Sequence, residues 1–559
     1  MPTRAKTAAA KAPTARKASG ASTTRSTPKS STATAKPAKA AEKPSAAKAK
    51  PSVAKTKPNA ASVATKKRKA DDDDAPKKRD DEAEERQPKK TKTEVAPAKP
   101  KAKKVSHPEI GKKINDAPTR VLDIYVFGEG TSGELGLGSK RVNGKKPIDV
   151  KRPRLNDNLS AKSVGVVQIA CGGMHAAALT RDNKILTWGV NDQGALGRDT
   201  AWDGNLRDQN GADDNSDSED DEDSNLNPRE SNPTAVADEH FAPGTRFVQL
   251  VASDSATFVL TEDGRVYGWG TFRSSDGILG FTESIKIQMT PVLLPTLKNI
   301  KALAAGSNHI LALDHKGSVV AWGCGQQNQL GRRIIERNKM SSLIPQGIGL
   351  PRGKIAKIAC GAYHSFAVDK DGQAWGWGLN NFGEIGTQGH AGEDDAVILK
   401  PVKLEALEGH NVTEIDGGVH HSLACSDKGE LFTWGRLDGF QAGFEPDKLN
   451  KDDVIFDQRG APRILVKPTK HDGMSNITSI AAGSDNSFAV TRDGKVYSWG
   501  FSANYQTGQG TIDDIEKPTV IDNTAIRDKK IIAAYGGGQF SVLAGESEAG
   551  PATNGINGK

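Results

Sequence analysis

The sequence is poor in aromatic side chains, in cysteine and in long apolar runs. Aromatic residues make up 5% of the 559 positions, and none of the four cysteines forms a C-x-x-C pair. This spacing excludes a disulfide framework or a zinc site and favours buried thiols in a reducing compartment. The eleven histidines show no H-E-x-x-H spacing, so we predict neither a metal site nor a cofactor. No apolar stretch approaches the ~20 residues that a membrane-spanning helix needs, and we expect no membrane association.

The first 106 residues contain no Phe, Trp, Tyr, Leu or Ile. Such a segment cannot bury enough apolar surface to offset the entropy of ordering, so we predict that residues 1–106 are a disordered tail. With 29 basic and 11 acidic side chains, the tail carries a net charge of +18. Spread positive charge suits a polyanion, because each neutralised phosphate releases counterions. We therefore expect the tail to bind chromatin, both DNA and histones.

Two basic clusters lie inside this tail on either side of the acidic run 71–74. They consist of Lys66, Lys67, Arg68 and Lys69, and of Lys77, Lys78 and Arg79. Paired clusters with a short spacer are typical of a bipartite nuclear import signal, which an import receptor reads. A solvated charge run is the competing interpretation of either cluster alone. The two clusters, within a tail that suits DNA, favour a nuclear, chromatin-associated protein.

The net charge of the whole chain, +8, is the sum of the charges of three unlike segments. Residues 203–230 hold 11 acidic and 2 basic side chains, and we predict that they form a disordered acidic insert with a net charge of −9. The rest of the chain after residue 106 is close to neutral, at −1. This excludes a uniformly basic nucleic-acid-binding globule and suits a protein partner. We predict that 546–559 is a second disordered tail.

Residues 120–545 repeat one pattern seven times. An aromatic residue followed by glycine recurs at Phe127-Gly128, Trp188-Gly189, Trp269-Gly270, Trp322-Gly323, Trp377-Gly378, Trp434-Gly435 and Trp499-Gly500. A second element also has seven copies, which are ACGGMHAAAL from Ala170, VASDSATFVL from Val251, AAGSNHILAL from Ala304, ACGAYHSFAV from Ala359, DGGVHHSLAC from Asp416, AAGSDNSFAV from Ala481 and AYGGGQFSVL from Ala534. Asp-Gly pairs between the elements, as at Asp263-Gly264, predict hairpins with primed turns. Seven such multi-stranded units predict an all-β, seven-bladed β-propeller.

The two ends of the repeat array complement each other. The first copy, 121–136, has only the aromatic-glycine half, and the last copy, which ends near Gly545, has only the other half. We therefore predict that strands from the N- and C-terminal ends close one blade together, which leaves no open edge strand in the ring.

Two motifs within the repeats invite a functional interpretation. Gly128-x-Gly130-x-x-Gly133 matches a dinucleotide fingerprint, but Pro147 and further glycines break the helix that would have to follow, so we interpret it as a repeat loop. The histidine column consists of His175, His309, His364 and His421. With one copy per blade it is interpreted as structural, capping backbone groups inside each blade. The residues just before the column are expected around the central opening: Met174, Ser255, Asn308, Tyr363, His420, Asp485 and Gln539.

The combination G-x-x-H-x-x-x-L, Asp-Gly turn and W-G-x-x-x-x-G-x-L-G resembles the regulator of chromosome condensation family over roughly residues 120–545. The long basic tail is similar to that of fungal members. The resemblance implies a guanine-nucleotide exchange factor for the small GTPase Ran, which promotes GDP release and GTP loading on chromatin by stabilising the nucleotide-free GTPase. It implies no covalent chemistry, and a role in nucleocytoplasmic transport and the cell cycle.

The resemblance also assigns candidate site residues. The segment 271–281 is similar to the β-wedge that the family's exchange factor pushes against the GTPase, with matching positions Phe272, Arg273, Ser274, Ser275, Asp276, Gly277, Ile278 and Leu279. GTPase-contacting positions match His175, Asp254, Asn308, Arg332 and His420. The family has an acidic residue where this chain has Asn308. The connection from Arg332 to about Gly353 is similar to the family's nucleosome-contacting loop, without a dense arginine cluster.

Two other classes of function stay open at this point. A chromatin-tethered propeller scaffold would bind proteins without exchange activity; the wedge segment and the import signal argue against it. A propeller enzyme is less favoured, because no nucleophile, paired-carboxylate or metal constellation stands out from the repeats.

Overall fold

The computed structural model describes residues 107–203 and 226–548. The predicted tail 1–106, the import signal, most of the acidic insert and residues 549–559 lie outside the described residues. The described part of the chain folds into seven antiparallel sheets, the blades, which follow one another along the sequence.

The strands are numbered in chain order. The first two are β1 (Leu122–Gly128) and β2 (Val150–Leu155). Blade 1 contains β3 (Val166–Cys171), β4 (His175–Thr180), β5 (Ile185–Gly189) and β6 (Thr234–Ala235). Blade 2 contains β7 (Phe247–Ala252), β8 (Ala256–Thr261), β9 (Val266–Gly270) and β12 (Gln288–Leu293), with a hairpin of β10 (Phe272–Ser274) and β11 (Gly277–Gly280) before β12. Blade 3 contains β13 (Ile300–Ala305), β14 (His309–Asp314), β15 (Val319–Gly323) and β16 (Gln346–Gly347).

The second half of the ring continues the order. Blade 4 contains β17 (Ile355–Cys360), β18 (His364–Asp369), β19 (Ala374–Leu379) and β20 (Val397–Lys403). Blade 5 contains β21 (Val412–Gly417), β22 (His421–Ser426), β23 (Leu431–Arg436), β24 (Val454–Phe456) and β25 (Pro462–Lys470). Blade 6 contains β26 (Ile477–Ala482), β27 (Asn486–Thr491), β28 (Val496–Gly500) and β29 (Ile515–Val520). Blade 7 joins β30 (Ile531–Gly536) and β31 (Phe540–Glu546) to β1 and β2.

Short helical segments occur in the connections. Among the described residues, helix α1 covers Pro228–Ser231, and 3-10 segments cover Asp157–Leu159, Asp238–His240, Glu336–Leu343, Glu405–Leu407, Pro446–Lys448 and Lys451–Asp453. Helix α1 begins inside the segment that we predicted as the acidic insert. There Asn227 caps it, and Arg198 Nη1 donates to Arg229 O at 2.7 Å.

The ring closes between the two ends of the described chain. Strand β31 pairs with β1 along its length, from Leu122 opposite Glu546 to Gly128 opposite Phe540. The innermost strands contact one another in the order β3, β7, β13, β17, β21, β26 and β30, and β30 returns to β3. Seven blades with one blade shared by both ends are therefore confirmed.

Packing between blades explains the repeated residues. The second strand of a blade lies between two neighbouring sheets, so β4, β8, β18, β22 and β27 are buried along their whole length, with small and apolar residues at their centres and polar residues at their ends. The repeated tryptophans are buried beside them. Trp269 donates its indole N–H to Ala195 O of the preceding blade at 2.8 Å. A Cβ on Gly197 would stand 2.8 Å from the same indole nitrogen, and its φ is +66°, so the repeat requires glycine there.

The Asp-Gly turns differ from the primed turns that we expected. Gly264 has a φ of +77°, but Asp263 does not lie in the positive-φ region. Gly264 N donates to Thr261 O at 2.9 Å. This is a type I turn closed by a left-handed glycine, which is the usual form of a slightly longer hairpin loop. After Gly128, as predicted, the chain continues as turns rather than as a nucleotide-binding helix.

Candidate partner-binding face

The two sides of the ring carry different features. Because the strands of a blade alternate in direction, the turn between its first and second strands and the loop between its third and fourth open on the same side. We call this side the loop face; it carries the β10–β11 hairpin and the loop 324–345. The opposite side, which carries the turns between second and third strands, is called the tail face.

The described chain begins on the tail face. Ile114 N and Asn115 N both donate to Glu262 O, at 2.8 and 3.0 Å, in the turn between β8 and β9. Lys113 forms an ion pair with Glu262 at 2.7 Å, and Asn115 Nδ2 donates to Ile300 O at 2.9 Å. These contacts fix the segment 107–118 on the side of the ring away from the hairpin.

A central cavity of about 620 Å³ is lined by the innermost strands of all seven blades. Two carboxylates on β21 line it and bridge to blade 6: Glu414 Oε2 accepts from Ile480 N at 3.1 Å, and Asp416 Oδ2 accepts from Ala482 N at 2.9 Å. Burial raises the pKa of Asp416 to about 7. These carboxylates hold neighbouring blades together.

The histidine column joins blades to one another. Three of its rings bond to a hydroxyl of the next blade: His175 to Thr257 at 2.9 Å, His309 to Ser365 at 2.8 Å and His364 to Ser422 at 2.9 Å. Each hydroxyl donates its own proton to a loop carbonyl, as Ser422 does to Glu384 O at 2.9 Å, so the histidine Nε2 must be the donor. Burial lowers the pKa of His175 to about 4, which keeps its ring neutral. The column is structural, and its partner is a hydroxyl of the neighbouring blade rather than the backbone group of the same blade that we expected.

Two of the predicted contact residues lie together at the mouth of the cavity. Asn308 Nδ2 donates to Asp254 Oδ2 at 3.3 Å, and Asp254 N donates to Ser307 O at 2.9 Å. Although Asp254 reaches solvent, the protein around it excludes enough water to raise its carboxyl pKa to about 6. The pair therefore presents a carboxylate, ionised at neutral pH, on the loop face.

Two other predicted contact residues are bound to the scaffold. The His175 side chain is 1% exposed and engaged with Thr257. Arg332 donates from Nη1 to Ala321 O at 2.9 Å and from Nη2 to Ile344 O at 3.3 Å, and burial lowers its pKa to about 10. Arg332 thus fixes the start of the loop that carries the Glu336–Leu343 segment.

His420, the fifth predicted contact residue, belongs to a separate cluster on the loop face. Its Nδ1 contacts Oε1 of the buried Glu384 at 2.8 Å, and its ring lies 4.5 Å from the Phe382 ring. The guanidinium groups of Arg436 and Arg463 lie 5.2 and 4.8 Å from the same ring centre. These neighbours of His420 were not predicted from the sequence, where their one signal is that the loop copy NNFGEIG has Phe382 at the position of Gln193 and Gln327 in other copies.

The eight predicted wedge positions form one hairpin. Strands β10 and β11 pair with Ser274 opposite Gly277, and Ser275 and Asp276 form the tip. At the base, Phe272 is fully buried and stacks on Phe258 with ring centres 5.8 Å apart, and Leu279 is buried in the same cluster. Towards the tip, Ile278 is 40% exposed. The hairpin therefore has an apolar root in blade 2 and an exposed end on the loop face.

Other predicted features can be placed only in part. The seven residues of the import signal lie outside the described residues. The connection from Arg332 to Gly353 contains the Glu336–Leu343 segment and β16, with Arg337 and Arg352 exposed. Within 107–203 and 226–548, no helix is long and apolar enough to cross a membrane, and no group of three or more His, Cys, Asp or Glu side chains is placed to hold a metal ion.

Comparison with known proteins reveals close similarities. The family model of the RCC1-like domain matches residues 123–543. The chain is 44% identical over 431 residues to the guanine nucleotide exchange factor SRM1 of Saccharomyces cerevisiae, covering 76% of this chain and 87% of that protein. It is similar to the crystal structure of Prp20p from the same yeast, described with its binding properties to Gsp1p and histones, with a TM-score of 0.69 and 42% identity over 77% of this chain and 92% of that one. Yeast RCC1 (Prp20) bound to Kap60 is similar at a TM-score of 0.69 and 40% identity, over 81% of this chain and 97% of that one.

Proposed function

The chain belongs to the RCC1-like domain family, and from this premise we propose that it is a guanine-nucleotide exchange factor for the small GTPase Ran. One observation carries the proposal: a hairpin with an exposed apolar side chain stands on the loop face next to the Asp254–Asn308 pair. The identity to SRM1, a named exchange factor, supports it, and so does the similarity to Prp20p, which was described with its binding properties to Gsp1p.

Exchange of this kind needs no covalent chemistry. A GTPase holds its nucleotide through Mg²⁺ and phosphate contacts, so spontaneous release is slow. A partner that binds the nucleotide-free state more tightly than the loaded states lowers the barrier to release and leaves the overall equilibrium unchanged. The cellular excess of GTP then sets the direction of exchange.

The loop face supplies two kinds of contact for this mechanism. The hairpin would displace the phosphate-binding region of the GTPase by steric pressure, with Ile278 as its exposed apolar contact. Asp254, Asn308 and His420 would form polar contacts around it. Arg332 and His175 would contribute by supporting the scaffold, because Arg332 binds Ala321 O and Ile344 O and His175 binds Thr257 within the ring.

The basic tail would determine where in the cell the exchange takes place. We propose that residues 1–106 bind DNA and histones in the nucleus, and that the clusters Lys66–Lys69 and Lys77–Arg79 are read by an import receptor. Prp20p was described with histone binding and in a complex with Kap60, which supports both partners. The described residues begin on the tail face, on the side of the ring away from the hairpin.

The deciding experiment measures release of a fluorescent GDP from purified Ran, with catalytic amounts of the full chain. We expect acceleration over the intrinsic rate. A matched variant in which a Gly/Ser linker replaces 274–278 keeps the apolar root of the hairpin, Phe272 and Leu279, and should lose most of the acceleration. If the wild-type chain leaves the intrinsic rate unchanged, the exchange proposal is wrong and a chromatin-tethered scaffold takes its place.

A further inference from the structure

The hairpin needs support from outside its own blade. A two-stranded hairpin is marginally stable in water on its own, and only the root of this one, with Phe272 and Leu279, is packed in a core. A cavity of about 270 Å³ lies between the hairpin and the loop of blade 3, lined by Ser274, Leu279, Cys324 and Ile334 among others. Close apolar packing therefore does not fix the direction of the tip.

Three side chains of blade 3 supply that support. The Gln326 amide binds Ser275 twice: Oε1 accepts from Ser275 N at 2.9 Å, and Nε2 donates to Ser275 Oγ at 2.8 Å. Lys339 Nζ donates to Asp276 Oδ2 at 2.7 Å and also contacts Glu336 at 2.8 Å. Asn308 Oδ1 accepts from Arg273 N at 2.7 Å. One strand and the tip of the hairpin are thus held at three successive points.

A second hydrogen bond of Asn308 explains why this position holds an amide rather than a carboxylate. Its Nδ2 donates to Asp254 while its Oδ1 accepts from Arg273 N. Only an amide can do both, because a carboxylate at this position would accept from Arg273 but repel Asp254. The departure from the acidic residue of the resembled family therefore links the cavity mouth to the root of the hairpin.

We propose that Gln326 and Lys339, together with Asn308, are positioning residues that hold the hairpin in the direction in which it meets the GTPase. The inference rests on the proposed exchange function and deepens it. Gln326 contributes most, because its two bonds fix both the backbone and the side chain at the tip. Lys339 contributes a partly exposed ion pair, which salt weakens.

The test compares Gln326→Ala with Gln327→Ala in the full chain. Gln327 is the adjacent residue of the same loop and has the same side chain. It contacts Gln329 through its backbone N–H, which donates to Gln329 Oε1, and not through its side chain. We expect Gln326→Ala to lower the maximal rate of GDP release about fivefold to tenfold, with little change in the concentration of Ran that gives half the maximal rate. Gln327→Ala should behave as wild type.

A second readout separates positioning from general damage. Hydrogen exchange of the amides in 273–278 should become faster in Gln326→Ala, while the melting temperature stays within the range of the control variant. Lys339→Ala should lower the rate mainly at low salt, and Lys339→Arg should restore it. Faster hydrogen exchange with an unchanged GDP-release rate would overturn the inference, and equal losses in the two glutamine variants would do the same. A wild-type chain without exchange activity would instead overturn the proposed function itself.

Discussion

Ser422→Ala should destabilise the ring more than the equivalent change in the next blade, Ser487→Ala. Ser422 accepts from His364 Nε2 at 2.9 Å and donates to Glu384 O at 2.9 Å. Its removal leaves the buried imidazole N–H without an acceptor, whereas Glu384 O keeps its bond from Trp434 Nε1 at 2.8 Å. An orphaned buried donor costs about 1–3 kcal/mol, and a lost bond whose partner stays satisfied costs about 1 kcal/mol.

Ser487 provides the matched control because it has the same burial and only one of the two bonds. It donates to Gln441 O at 3.0 Å, and that carbonyl keeps the indole N–H of Trp499 at 2.8 Å. Within the described residues, Nε2 of His421 forms no hydrogen bond with Ser487, so Ser487→Ala does not deprive it of an acceptor. We expect Ser422→Ala to lower the free energy of unfolding by about 2–4 kcal/mol and Ser487→Ala by about 1 kcal/mol.

Urea denaturation of the full chain, followed by tryptophan fluorescence, measures both changes, provided that the dependence on urea stays the same. In a background with His364→Phe, Ser422→Ala should cost no more than Ser487→Ala, because the donor is gone. Equal shifts for the two serine variants in the wild-type background would refute the reasoning, since the histidine-to-hydroxyl bond would then contribute nothing.

We expect three further outcomes. Replacement of 274–278 by a Gly/Ser linker leaves Phe272 and Leu279 in the core, so it should leave the melting temperature nearly unchanged and reduce the rate of GDP release from Ran at least tenfold; an unchanged rate would remove the hairpin from the mechanism. The raised pKa of Asp416 means that the folded chain holds this proton to higher pH than the unfolded chain does, so the contribution of Asp416 to stability falls as pH rises from about 4 to 7. Asp416→Asn should therefore raise the melting temperature at pH 8 more than at pH 5, and a thermal scan with equal shifts at both would contradict this. Deletion of 1–106 should weaken binding to DNA and nucleosomes and flatten its salt dependence, with GDP release in solution unchanged; retained salt-dependent binding would place the basic contact elsewhere.

Much of the fold could be predicted because its determinants repeat locally. The glycine after the loop leucine leaves room for the tryptophan of the next blade, as Gly197 does for Trp269. Each repeat therefore contains the residues that determine how it packs against the next blade. The complementary half-repeats at the two ends likewise predict the pairing of β1 with β31. The turn geometry was missed, since an Asp-Gly pair does not reveal that its glycine closes a longer loop.

The support of the hairpin could not be predicted from spacing. Gln326 lies 51 positions after Ser275, and Lys339 lies 63 positions after Asp276. No periodic pattern links residues so far apart in loops of different blades. The contact roles that the resemblance assigned to His175 and Arg332 stay predictions; in the structure His175 binds Thr257, and Arg332 binds Ala321 O and Ile344 O within the ring.

One site recurs around the loop face, and its chemistry differs from blade to blade. The residue just before the histidine column receives a contact from the loop of the preceding blade: His420 from Glu384 at 2.8 Å, and Asp485 from Gln441 Nε2 at 3.0 Å. Glu384 and Gln441 each use their other side-chain atom for a backbone N–H of their own loop, Phe382 N and Gly439 N. Asn308 stands at the same site in blade 3, and there the preceding loop is the hairpin, whose Arg273 N–H takes the place of the side chain. The hairpin is thus attached through a contact between neighbouring blades that the ring also makes at His420 and Asp485. This explains how blade 2 can carry the hairpin while the packing between blades stays unchanged.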